Sequence, residues 1–112
     1  MDRIESLKLE MMKAIRESQE YKEYRELSKE LEKQPDVKRA VDEFRRENFL
    51  YQIASDIEDP LGRALELDER FKVTRGQEMV DRYLMAEIGV CRLVRELCLS
   101  VVDAIDFDMK FL

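Results

Sequence analysis

Residues 75–105 read RGQEMVDRYLMAEIGVCRLVRELCLSVVDAI and are the most apolar part of the chain. Their apolar side chains recur at helical spacing on two adjacent stripes, a pattern typical of a helix that packs on two sides. Thr74-x-x-Gln77 forms a capping box just before them, because the Gln77 side chain can reach back to the Thr74 amide. The sequence therefore predicts a long, largely buried helix from about Arg75 to Ile105. One stripe is Tyr83, Val90, Val94, Leu97, Val101 and Ala104, and the other is Leu84, Ile88, Cys91, Cys98, Val102 and Ile105.

Two helices upstream of this segment are predicted to begin at prolines. Pro35 suits the first turn of a helix, where its missing N–H is not needed, and Asp36 favours the positive end of the helix. Asp59 and Pro60 repeat this signal, with Asp59 in the N-cap position. We therefore expect one helix to start near Pro35 and another near Pro60, the latter running to about Phe71.

The N-terminal part of the sequence predicts one further helix and does not decide whether a separate second helix follows it. Ile4, Leu7 and Met11 share one face of a helix from about residue 2 to residue 17. Ser18 is then either an N-cap or the site of a kink, and the apolar period continues to Leu31. The segment after Ser18 is therefore a second helix or a bent continuation of the first.

The composition agrees with an all-α fold. The 112 residues include only 3 Gly and 2 Pro, which is few for the turns of a strand-rich fold, whereas 45% are hydrophobic, which is enough for a core. We expect four to five helices in an antiparallel bundle-like arrangement, with the long C-terminal helix at its centre. The length favours a single domain over residues 1–112.

The composition also excludes several classes of function. A balance of 20 Lys+Arg against 26 Asp+Glu gives a net charge of -6, which argues against nonspecific binding to nucleic acid or to an anionic membrane. Histidine is absent, so the commonest general base is missing. No apolar run approaches the roughly 18 residues of a membrane-spanning helix, and the charged start at Asp2 and Arg3 is unlike a signal peptide. We expect a cytoplasmic protein that is not an enzyme, has no catalytic residues and needs no cofactor.

The cysteines and the C-terminal carboxylates do not predict a metal site. Cys91 and Cys98 are separated by about 10 Å along a helix, which is beyond disulfide distance. We interpret them as reduced thiols packed in the core, although a symmetric dimer would bring four thiols together. Asp103, Asp106 and Asp108 lack the glycine-containing loop of a cation site and indicate a solvated helix end.

Apolar residues near the middle of the chain form a candidate interface. Residues 49–53 are apolar on more than one side of their helix, so they belong either to the core or to a protein interface. Glu87 lies among apolar residues of the last helix and is better interpreted as an ion-pair or interface residue than as a general acid. The candidate interface residues are Phe49, Leu50, Tyr51, Ile53, Leu84 and Ile88.

A basic cluster near the same place is the candidate nucleic-acid face. It consists of Lys38, Arg39, Arg45 and Arg46, with aromatic residues nearby that could stack on bases. Interleaved acidic residues nearly cancel its charge, so a solvated helix face is the better interpretation.

Several short motifs resemble those of the bacterial YlbF/YmcA family. The first half carries AIRESQEYKEY at residues 14–24, Pro35-Asp36, and VDEF at residues 41–44; the second half carries Val80-x-x-Tyr83-Leu84-x-Ala86-Glu87. The resemblance spans roughly residues 4–106. The segment between Ile57 and Gln77 departs from the family pattern, because Asp59-Pro60 interrupts what is usually a continuous helix.

The resemblance implies a small all-helical regulator that is not an enzyme and that self-associates. Better-known members of the family act in complexes that influence competence, sporulation and biofilm development, together with ribonuclease Y. The sequence up to Leu112 does not include the cysteine-bearing tail linked to iron–sulfur binding in some members, so we do not expect that role here.

The resulting functional hypothesis is a cytosolic regulator or adaptor that works through helix-on-helix association. Its expected partners are a second copy in a homo-oligomer such as a homodimer, other family members, or a ribonuclease complex. A membrane is not expected as a partner, and nucleic acid is disfavoured. The alternative is an accessory factor for RNA processing that uses the basic cluster.

Overall fold

The computed structural model describes residues 2–106, 108, 110 and 111, and its regular structure is entirely helical within that part of the chain. The predicted all-α class is therefore confirmed, although the described residues form six helices and not four to five. None of these helices combines the length and apolar character needed to cross a bilayer. The helices are α1 (Arg3–Arg16), α2 (Gln19–Glu32), α3 (Pro35–Ile53), α4 (Pro60–Arg70), α5 (Lys72–Arg75) and α6 (Glu78–Ala104).

Ser18 separates α1 from α2, which answers the question that the sequence left open. Its hydroxyl donates a hydrogen bond of 2.6 Å to the Ile15 carbonyl at the end of α1. The same oxygen accepts a bond of 3.2 Å from the Tyr21 amide in the first turn of α2. One side chain thus satisfies backbone groups of both helix ends, so the second segment is a new helix.

The two proline signals start helices where the sequence predicted them. Pro35 is the first residue of α3 and Pro60 is the first residue of α4. The Asp59 carboxylate accepts a hydrogen bond of 3.2 Å from the Gly62 amide, as expected for an N-cap.

The predicted capping box at Thr74 is wrong. Thr74 lies inside the single turn α5, where the Gly76 amide donates to the Lys72 carbonyl at 3.0 Å. A residue whose backbone is already helical cannot act as the N-cap of the next helix. As a result α6 begins at Glu78, later than the predicted Arg75, and α5 adds a helix to the predicted number.

The described chain forms two compact units. Unit 1 comprises residues 1–25 and 85–112, and unit 2 comprises residues 26–84. The antiparallel bundle-like arrangement and the single domain stay predictions.

The buried core lies in unit 2. Within this unit α4 and α5 pack against α3 and against each other. The Phe44 and Phe71 rings meet edge to face, with 5.3 Å between their centroids and an interplanar angle of 66°. Each fully buried aliphatic or aromatic side chain stabilises the fold by about 1.5–3 kcal/mol relative to an exposed one. The buried apolar residues are Leu27, Leu31, Val41, Leu67, Phe71, Val80 and Tyr83.

The prediction that the C-terminal helix is largely buried is wrong. α6 has the expected length of 27 residues, but only Val80 and Tyr83 near its start are buried. Its described side chains after Tyr83 are half-buried or exposed. Apolar periodicity shows that a face is suited to burial, but it does not show that the same chain supplies the cover.

Candidate interaction surfaces

Three exposed apolar side chains on one face of α3 form a surface that we call the α3 patch: Phe49, Leu50 and Ile53. Their exposed fractions are 59%, 49% and 60%. Side chains three and four residues apart lie next to each other on a helix, so the three form one continuous surface. The structure thus places these candidate interface residues outside the core of unit 2.

The other candidate interface residues are placed differently. Tyr51 is half-buried, and its hydroxyl donates a hydrogen bond of 3.2 Å to the Pro60 carbonyl, which joins α3 to the start of α4. On α6, Leu84 is half-buried in unit 2, whereas Ile88 is 49% exposed in unit 1. The sequence prediction that these residues form an interface stays a prediction.

Asp42 lies between two members of the basic cluster. Its carboxylate forms ion pairs with Lys38 and with Arg45, the latter at 3.2 Å between Arg45 Nη1 and Asp42 Oδ1. Partial burial raises the pKa of Asp42, but the hydrogen bonds and positive charges of Lys38 and Arg45 outweigh it and hold this pKa below its ordinary value. The Arg45 guanidinium also lies 5.9 Å from the centre of the buried Tyr83 ring. Both basic side chains are therefore engaged in contacts within unit 2.

The remaining two basic residues, Arg39 and Arg46, are both exposed on α3. Arg39 Nη1 is 3.6 Å from the Asp36 carboxylate one turn earlier. Arg46 is exposed and precedes Phe49 and Leu50 by three and four residues, so it shares a face with the α3 patch. The sequence prediction that the four basic residues form one nucleic-acid face stays a prediction, although acidic partners offset the charge of Lys38, Arg39 and Arg45.

Ion pairs between α3 and α4 were not visible in the sequence. Arg63 contacts Glu47 at 2.8 Å, with 33% and 20% of the two side chains exposed, and Arg70 pairs with Glu43. The partners are far apart along the chain, so no local spacing rule identifies them. They help to hold α4 on α3 and leave the opposite face of α3, with the α3 patch, uncovered.

A protein-family model described as "Control of competence regulator ComK, YlbF/YmcA" matches residues 4–106. The match covers almost the whole chain. The chain belongs to the YlbF/YmcA family. Comparisons with curated proteins and with solved structures gave no significant match. The family's description names a regulatory role and no catalytic activity.

In this YlbF/YmcA-family chain, the prediction that both cysteines are packed in the core is wrong. Cys91 and Cys98 are free and exposed. They lie on the part of α6 that the chain itself does not bury. Their apolar neighbours in the sequence therefore did not indicate burial correctly. Among the residues that the structure describes, no group of three or more side chains is arranged to hold a metal ion.

Proposed function

We propose that this YlbF/YmcA-family chain is a non-catalytic regulator in the control of competence, acting in the cytoplasm through helix-mediated association with other proteins. The observation that carries the proposal is the α3 patch, in which three large apolar side chains share one exposed helix face. Exposed apolar surface of this kind, next to polar residues, is typical of protein interfaces. The proposed partners are a second copy, other family members, or a ribonuclease complex.

The surroundings of the α3 patch support a protein partner. Arg46 borders the patch on the same face, and arginine beside large apolar residues is enriched among the residues that contribute most to binding. The Tyr51 hydroxyl donates to the Pro60 carbonyl and so links the end of α3 to the start of α4 beside the patch. A pre-ordered surface loses less conformational entropy on binding than a mobile one.

The replacement Leu50→Glu tests this proposal. A charge forced into a desolvated interface costs several kcal/mol, enough to weaken binding by about a hundredfold or more. We expect circular dichroism to show unchanged helicity, while size-exclusion chromatography with light scattering and pull-down from native cytosol show lost association. Val73→Glu is the matched control, because Val73 is 83% exposed on α5 and lies outside the patch.

Two outcomes would contradict the proposal. Unchanged assembly and unchanged partner capture in Leu50→Glu would mean that the α3 patch is not an interface. Collapsed helicity in Leu50→Glu, with an intact Val73→Glu, would assign Leu50 to the folding core.

The second candidate function is RNA binding in a processing complex. The exposed Arg46 beside Phe49 favours it, since a guanidinium can contact phosphate while an aromatic ring stacks on a base. The acidic partners of the other basic residues weaken the attraction to a polyanion. Titration of single-stranded RNA at low and high salt separates the candidates: a salt-dependent shift that disappears in Arg46→Ala supports RNA binding, and a flat titration removes it.

A further inference from the structure

We draw no further inference here: the strongest candidate, the exposed apolar stripe on α6 formed by Cys91, Val94, Cys98, Val101 and Ile105, carries nothing because nothing in the part of the chain that the structure describes shows what covers it.

Discussion

Two helical glycines should respond differently to alanine: Gly89 lies in the interior of α6, and Gly62 lies in the first turn of α4. Alanine is favoured over glycine in a helix interior by about 1 kcal/mol. A Cβ added at Gly89 in α6 meets nothing within 4 Å. Gly89→Ala should therefore gain the full increment of about 1 kcal/mol.

Gly62→Ala should not stabilise the chain in this way, because the added Cβ disturbs the N-cap of α4. A Cβ at Gly62 would lie 2.2 Å from Asp59 Oδ2 and 2.8 Å from its Cγ, so the carboxylate must rotate away. We expect this rotation to weaken or break the 3.2 Å hydrogen bond that the Gly62 amide donates to the carboxylate. An N-cap of this kind contributes about 1 kcal/mol, which offsets the propensity gain and leaves a net change of about zero.

Urea unfolding followed by circular dichroism measures both effects, at one protein concentration. Asp59→Ala supplies the control through a double-mutant cycle: in that background the cap is already gone, so Gly62→Ala should recover its stabilisation of about 1 kcal/mol. If Gly62→Ala stabilises the parent chain as much as it stabilises Asp59→Ala, the reasoning is refuted, because Asp59 would then not cap α4.

Two further predictions concern unit 2. The pKa of Asp42 is lowered in the folded chain, so its ion pairs stabilise the fold above the unfolded carboxyl pKa of about 3.9 and this contribution is lost as the pH falls through the lower folded pKa. Asp42→Asn should therefore lower the urea midpoint at pH 7 and lower it much less at pH 3; equal losses at both pH values would contradict the assigned role of its charge. Phe71→Ala removes a ring that is 3% exposed and contacts Phe44, which should cost about 3–5 kcal/mol in thermal unfolding, and a loss below about 1 kcal/mol would show that the ring is not part of the core.

The sequence predicted the helix starts well because they depend on local chemistry. The backbone conformation within one turn is restricted by Pro35, Asp59 and Pro60. Each of these residues begins or caps a helix as expected. Ser18 was ambiguous because a serine can either cap a helix or sit within a bend. Thr74 failed because a competing turn, α5, placed its backbone in helical geometry. The family was also predictable, because its motifs are short local patterns along the helices.

Burial was much less predictable, since it depends on distant contacts. The apolar stripes of α6 include Tyr83, which is 2% exposed, and Val101, which is 50% exposed, although both occupy equivalent positions in the pattern. The pairing of Arg63 with Glu47 likewise has no local signature. The cysteines were misplaced for the same reason, because a thiol on an apolar stripe is buried only where some element covers that stripe.

The most direct test of the central claim, that copies of this chain associate through their helices, is the mass of the unmodified protein in solution. Light scattering coupled to size-exclusion chromatography should give a mass near twice 13.4 kDa at micromolar concentration, falling toward the monomer value on dilution. A constant mass of 13.4 kDa over the whole concentration range would contradict the claim that copies of this chain associate.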